Sequence, residues 1–282
     1  MAILASLSGL LYIVAAFLLF IAGKLAYDFH QGRVNLNAEL LERDNLALAL
    51  ALSGYFLGLA LAVGGALAGT APSLAKGLLS TLGYGLIAIV LLNVSSRLND
   101  CLLLSRCNLE KEIITDRNCG VGLVVAANHV AVGLILYGVI SGEGGGLTAL
   151  LIFWALGQAT LILAAKVYDL ITPFRLGEVI ERGNVAVGAA LAGVLVALGN
   201  IIRFAVQGKL VSWSQSLASY AVVVVLGLIL LPLVRLAIDR FIMTPGHSLT
   251  REEVGQEVPN IGAGVIEGTI YVSISFLIGW CL

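Results

Sequence analysis

The sequence predicts an all-α polytopic membrane protein with eight transmembrane helices, built from four parallel two-helix repeats. Three observations lead to this prediction: a very apolar composition, eight long apolar stretches, and a short motif that returns at every second stretch. Of the 282 residues, 59% are hydrophobic and 12% are charged, whereas a soluble domain carries about a quarter charged residues. The composition therefore places the chain in the membrane class.

Eight stretches have the roughly 20 apolar residues that a helix needs to cross a bilayer. They fall at 4–27, 46–69, 77–96, 119–140, 147–168, 185–207, 216–238 and 261–281. No basic stretch precedes the first of them, so we expect a permanent helix rather than a cleaved signal peptide. The formal net charge of −1 provides no basic field that would attract nucleic acid.

The even-numbered stretches all begin with the same pattern: Asn, any residue, Ala or Gly, an apolar residue, Ala or Gly. The asparagines are Asn45, Asn118, Asn184 and Asn260. The odd-numbered stretches all end with a basic residue followed three or four positions later by Asp. These pairs are Lys24 and Asp28, Arg97 and Asp100, Lys166 and Asp169, and Arg235 and Asp239. An acidic loop joins each pair to the next Asn, with Glu39, Glu112, Glu178 and, in the fourth copy, Glu257.

The repeat predicts two four-helix membrane halves, 1–146 and 147–282. The first half contains units 1–75 and 76–146, and the second contains units 147–213 and 214–282. Because each unit has two spans, all four have the same orientation, and they are related by an axis along the membrane normal. Both a pseudo-fourfold ring and two pseudo-twofold halves fit this pattern.

Positive charge predicts the orientation. Thirteen of the 16 Lys and Arg residues lie in or beside the four loops that join an odd span to the next even one. The positive-inside rule puts those loops in the cytoplasm and both termini on the periplasmic side.

The repeated polar residues have a structural and a functional interpretation. Asn is among the best helix N-caps, which favours a capping role over ligand binding. A basic residue at a helix end commonly extends to the lipid headgroups, with the nearby Asp partly neutralising it. A ring of four such pairs would instead form a polar vestibule or a docking surface. The small residues of the even spans predict closely packed inner helices, with the odd spans facing lipid.

Two residues depart from the repeat and are candidates for a polar pathway. Glu267 lies seven residues after Asn260, and His129 lies eleven residues after Asn118, in spans that would stand opposite one another in a four-unit ring. A buried Glu with a His partner can bind or relay a cation. The alternative is a neutral Glu hydrogen-bonded to a neighbouring helix. Asn128 and Asn200 are further candidates for the pathway, or for simple interhelical hydrogen bonds.

The Asn-initiated spans, with Glu-Arg-Asp-Asn and Glu-Arg-Gly-Asn before two of them, resemble a bacterial inner-membrane family catalogued as domain of unknown function 350. The similarity is clearest at 42–69 and 181–203, and the chain looks like two fused copies of the four-span family unit. The resemblance implies a multi-pass protein of the bacterial inner (plasma) membrane without an established activity, associated with envelope-stress systems. It assigns no catalytic or binding residue.

Two functions follow as expectations. The first is a channel or transporter for an ion or small solute, with Glu267 and His129 on its path. The second is a non-enzymatic scaffold in envelope-stress or membrane-maintenance systems that docks a soluble cytoplasmic partner through its loops. We expect no enzymatic activity, cofactor or metal site, since the sequence has no phosphate-binding loop, nucleophile elbow or paired metal-ligand spacing. The lipid bilayer is the expected partner, and homo-oligomerisation stays open.

Overall fold

A computed structural model describes residues 2–31, 35–69, 73–102, 110–142 and 144–281 of the chain, which are helical almost throughout and contain no β-sheet. The side chain of Asp100 lies outside the described residues. The α-helices of this part of the chain are α1 (Ala2–Gln31), α2 (Leu46–Ala68), α3 (Leu74–Leu102), α4 (Cys119–Ser141), α5 (Gly146–Ile171), α6 (Leu176–Glu181), α7 (Val185–Val206), α8 (Trp213–Phe241), α9 (Leu249–Val254) and α10 (Ile261–Cys281).

Eight of these helices are long and apolar enough to cross a membrane, and they coincide with the eight predicted spans. The helices α2, α4, α7 and α10 each begin one residue after a repeat Asn, and we call them the inner helices. The four loops before them each contain a short helical segment. Two of these segments are π-helical turns, Ala38–Glu42 and Lys111–Thr115, and the other two are α6 and α9. The face that carries these segments is called the loop face below.

The inner helices pack side by side in the order α2, α4, α7, α10 and form the core, while α1, α3, α5 and α8 flank them. Burial follows this arrangement: 83% of the most apolar stretch of α7 is buried, against 17% of that of α1. Among the described residues the two end helices, α2 and α10, do not pack extensively against each other. The row is therefore open, and the opposite placement of the second and fourth units expected for a ring is not observed.

Each inner helix contacts the next through the same positions, counted from its cap Asn. Nearest the loop face, the residue two after one cap meets the residue four after the next cap. These pairs are Ala47–Gly122, Gly120–Gly188 and Ala186–Gly264. At the far end, the residue twenty after one cap meets the residue nineteen after the next. These pairs are Gly65–Tyr137, Gly138–Arg203 and Phe204–Gly279.

Two intermediate levels complete this interface. Positions nine and eight meet as Gly54–Ala126 and Gly193–Gly268, and positions thirteen and fifteen meet as Gly58–Gly133 and Ala131–Gly199. A Cβ added at Gly193 would lie 2.1 Å from the Cα of Gly268, so the helix backbones touch. Small residues let helices approach this closely in a membrane. The caps lie at the same end of every pair, so the inner helices are parallel and successive units share one packing geometry.

Candidate functional site

The repeat asparagines cap the inner helices. The Oδ1 atoms of Asn45, Asn118, Asn184 and Asn260 each accept a hydrogen bond from the backbone N–H three residues later. The first turn of a helix leaves N–H groups without intrahelical partners, and water is scarce near lipid. This capping bond therefore satisfies a group that would otherwise be costly to bury.

The side-chain amides of three of these asparagines also join neighbouring units. The Nδ2 of Asn45 donates to the carbonyl of Ile113 at 2.9 Å, and that of Asn118 donates to the carbonyl of Ile180 at 2.7 Å. In the same way, Asn184 donates to the carbonyl of Glu253 at 2.8 Å. Each cap thus holds the loop of the following unit against its own helix, which fixes the spacing between units at the loop face.

Replacing Asn118 with Ala should test this double role. The variant loses the cap, worth about 0.5–2 kcal/mol, and leaves buried partners unpaired at about 1–3 kcal/mol. We expect a loss of about 2–4 kcal/mol in the free energy of unfolding, measured by denaturant titration in detergent micelles. Asn37→Ala is the matched control, since Asn37 is exposed and makes no capping bond. Equal stability of the two variants would contradict the role.

The basic–acid pairs do not share one arrangement. Lys24 forms an ion pair with Asp28 within α1. Asp169 instead accepts from the backbone N–H of Leu176 at 2.7 Å, and Lys166 is exposed. Arg97 is exposed too, and the side chain of its predicted partner Asp100 is outside the described residues. The expectation of four alike pairs is therefore wrong for Lys166 and Asp169.

Arg235 and Asp239 depart from the prediction as well. Asp239 accepts from the backbone N–H of Leu249 at 2.7 Å and so orders the start of α9. Arg235 turns inward and binds two glutamates. Its Nη1 lies 2.8 Å and 3.0 Å from the two carboxylate oxygens of Glu267, and its Nη2 lies 2.8 Å from Oε2 of Glu253.

Tyr168 completes this group, which we call the acid-pair cluster: Tyr168, Arg235, Glu253 and Glu267. The hydroxyl of Tyr168 donates to Oε1 of Glu267 at 2.9 Å. Both glutamate side chains are fully buried, and that of Arg235 is 8% exposed. Oε1 of Glu253 has no hydrogen-bond partner among the described residues. Two carboxylates therefore share one guanidinium, away from water.

The first half of the chain carries a corresponding polar group around His129. Its Nε2 lies 2.6 Å from the Oγ of Ser96, and its ring packs against Tyr27 and Tyr55. When the units are aligned on their repeat Asp residues, Tyr27 corresponds to Tyr168 and Ser96 corresponds to Arg235. By position after the cap Asn, His129 corresponds to Tyr271, which packs against Tyr168, and Glu267 lies one helical turn nearer the loop face. His129 and Glu267 do not pair, contrary to one of our expectations.

A line of buried polar residues continues from Glu267 along α10. Tyr271 and Ser275 follow at intervals of four and are 3% and 0% exposed, so they share the buried stripe of the helix. The Oγ of Ser275 accepts from the Nδ2 of Asn200 at 3.0 Å, and Asn200 accepts from the Nε of Arg203 at 3.1 Å. Arg203 lies in the last turn of α7, away from the loop face. Asn128, the remaining candidate, is buried on α4 beside His129.

The loop beside the cluster is held by Glu252. This carboxylate accepts from the amide of Asn260 at 3.0 Å and contacts the ring of His247 at 2.7 Å. The hydrogen bond with His247, reinforced by that from Asn260, lowers the pKa of Glu252. In its bond to the cap Asn, Glu252 corresponds to Glu39 and Glu112. The equivalence of Glu257 expected from the sequence is therefore wrong, and Glu257 is exposed.

Sequence reasoning missed two members of the acid-pair cluster. A sequence signal for Tyr168 does exist, because Tyr directly precedes the repeat Asp in both the first and the third units. The register of Arg235 was a second signal: it lies four residues before its Asp, as Lys24 does, whereas Arg97 and Lys166 lie three before theirs. On a helix this difference turns a side chain by about 100°. Nothing in the sequence separates Glu253 from its neighbour Glu252.

Two cavities of the described residues lie away from this cluster. One of about 200 Å³ sits between the α4–α5 turn and the start of α8, lined by Gly145, Phe153 and Lys209 among others. Another, of about 380 Å³, opens between α3 and Leu147 and is mostly apolar. Neither is lined by Glu267 or His129, and the two carboxylates of the acid-pair cluster are not exposed to solvent.

The fold and the buried polar group define the class of protein: a multi-pass integral membrane protein of tandem helical repeats with a cluster of ionisable side chains inside its core. The chain belongs to the family described as Domain of Unknown Function (DUF350), whose model matches it twice, over residues 2–140 and 143–282. This confirms the resemblance to two fused copies of the family unit. Comparison with curated proteins and with solved structures finds no match.

Proposed function

We propose that this protein moves protons across the membrane and that the acid-pair cluster is its proton-binding site. One observation carries the proposal: Glu253 and Glu267 are fully buried on a single guanidinium, that of Arg235. With both carboxylates ionised the group has a net charge of −1. An uncompensated buried charge costs several kcal/mol, so we expect one proton to be bound between the two carboxylates.

A proton suits this site better than a larger ion, because both carboxylates are fully buried against Arg235. The described cavities do not reach the cluster, and a hydrated metal ion needs space as well as ligands. A proton needs only an acceptor, and Oε1 of Glu253 is a buried acceptor without a partner among the described residues. Ionisable groups inside membrane helices commonly mark proton relays.

The polar line along α10 supports a route beyond the cluster. Glu267 and Ser275 are eight residues apart, about 12 Å along a helix, and Asn200 and Arg203 extend the line towards the end of α7. At the loop face, Glu253 belongs to α9, a helix of only six residues. Movement of this short helix would expose Glu253 to water at the cost of the hydrogen bond from Asn184 to the Glu253 carbonyl. We therefore propose α9 as the loop-face entrance, with the loops in the cytoplasm as their positive charge predicts.

The experiment is proton flux into liposomes that contain the purified protein and a pH-sensitive dye, driven by a potassium diffusion potential. We expect Glu267→Gln to reduce the flux at least 10-fold while the protein stays folded, because Gln keeps the size and accepts from Arg235 but cannot take up the proton. Glu257→Gln is the matched control, a glutamate of the same loop that is exposed. Absence of flux in the unchanged protein, or full flux in Glu267→Gln, would overturn the proposal.

A scaffold is the second candidate, and the close contact of the inner helices favours it. Where Gly58 meets Gly133 and Gly193 meets Gly268 the backbones touch, so these interfaces leave no lumen between the inner helices. In this case the acid-pair cluster would fix α9 and the other loop segments for a soluble partner. In that case neither the unchanged protein nor Glu267→Gln would show proton flux in the liposome assay.

A further inference from the structure

The repeated interface gives each inner helix two different faces. The leading face consists of the residues 2, 9, 13 and 20 positions after the cap Asn, and the trailing face consists of those 4, 8, 15 and 19 positions after it. The leading face of α2 packs on the trailing face of α4, and the same contact follows from α4 to α7 and from α7 to α10. Because the row is open, one leading face and one trailing face are left uncovered.

The uncovered leading face belongs to α10. Its residues are Gly262, Thr269, Ser273 and Trp280, and all four are exposed. The hydroxyls of Thr269 and Ser273 donate to carbonyls of their own helix at 2.8 Å. Only 33% of the most apolar stretch of α10 is buried, although its sequence has the small-residue pattern of an inner helix. The face thus has the composition of a packing surface and lacks a packing partner among the described residues.

The trailing face without an inner-helix partner belongs to α2, and of its residues Ser53 and Ala60 are exposed while Ala49 and Gly64 are half-buried. At each of the four levels of the interface, its residue is complementary in size to the residue of the α10 leading face. The first three levels pair small residues: Gly262 with Ala49, Thr269 with Ser53, and Ser273 with Ala60. At the fourth level the exposed Trp280 would meet Gly64, just as Phe204 meets Gly279 between α7 and α10.

The cap amides provide a second, independent sign of the same contact. In the first three units the Nδ2 of the cap Asn donates to a loop carbonyl of the next unit. The amide of Asn260 donates to Glu252 of its own unit, and it has no such bond to another unit among the described residues. The accepting carbonyls lie five, four and seven residues before the next cap, and in the first unit Leu40 has the position of Ile113, five residues before Asn45.

We propose that a second copy of this chain continues the row, with the trailing face of its α2 packed on the leading face of α10 and its Leu40 carbonyl accepting from Asn260. The contact uses two different faces, so it is heterologous, and each added copy again presents an open face until a ring closes. The inner helices of the whole assembly then share one repeated interface. This inference does not depend on the proton pathway.

Directed cross-linking tests the contact in membranes that contain two forms of the protein, each with its four native cysteines replaced by Ser. One form carries Thr269→Cys and the other carries Ser53→Cys. We expect mild oxidation to convert most of the protein to a covalent dimer in the mixture, and each form alone to give at least 10-fold less. The positive control is Ala127→Cys with Ala192→Cys in one chain, which occupy the same two positions of the α4–α7 interface.

The outcomes separate the alternatives. No dimer in the mixture, with the positive control cross-linked, would overturn the proposal. Cross-linking of the Thr269→Cys form with itself would indicate a symmetric interface and would overturn it too. Thr269→Trp should reduce the oligomer to a monomer, seen as a loss of mass in native mass spectrometry. Val225→Trp, on the exposed side of α8, should leave the mass unchanged.

Discussion

Replacing Arg235 with Met should destabilise the protein by about 3–5 kcal/mol, the cost of removing one partner from a buried ionic group. The substitution keeps an apolar side chain of similar length but leaves Glu253 and Glu267 against each other without a cation. The loss is measured by denaturant unfolding in mixed micelles. Arg240→Met is the control on the same helix, because Arg240 is exposed and has no such partners among the described residues.

A rescue experiment distinguishes charge from packing. If the loss comes from the unpaired carboxylates, Glu253→Gln together with Glu267→Gln should restore most of the stability in the Arg235→Met background. The two glutamines can then hydrogen-bond with each other and with Tyr168, and no net charge remains. A stable Arg235→Met protein, or a triple variant as unstable as the single one, would show that charge balance does not hold this group together.

The second large effect is expected at the closest helix contact. Gly193→Ala places a Cβ 2.1 Å from the Cα of Gly268 and 2.4 Å from its carbonyl oxygen, so α7 and α10 must separate. Overpacking costs typically 1–3 kcal/mol and more where backbone has to move. We expect a loss of about 3 kcal/mol, measured by the same unfolding titration.

Gly83→Ala is the matched control for this prediction. Gly83 lies in α3, another membrane helix, and an added Cβ there meets nothing within 4 Å. Ala favours helix by up to about 1 kcal/mol over Gly, so this variant should be unchanged or slightly more stable. Both substitutions replace Gly with Ala. An equal change in the free energy of unfolding for both would contradict the close contact of α7 and α10.

The sequence was sufficient for the elements and the repeat. The eight spans follow from composition, and the start of each inner helix follows from its Asn, because a membrane helix end needs a cap wherever it begins. Glu267 was found because it stands as a lone carboxylate in an apolar span, where a charge needs a reason.

The partners of Glu267 could not be derived, because they depend on which helices are neighbours. The sequence shows which position of the repeat a residue occupies. It does not show whether the units form a ring or an open row, because tertiary packing decides that. Glu253 shows the limit most clearly. It adjoins Glu252 in a charged loop, yet the carboxylate of Glu252 turns to Asn260, the cap of α10, and that of Glu253 turns to Arg235.

The order of the row is also the order in which a ribosome makes it. Each inner helix packs on the one synthesised just before it, through a surface that is complete as soon as that unit has entered the bilayer. Assembly can therefore proceed by adding helical hairpins one at a time, as in other linear repeat proteins. In a chain whose last helix packs on its first, that contact could form only after translation had ended. Here only the proposed contact of α10 with a second copy would form later.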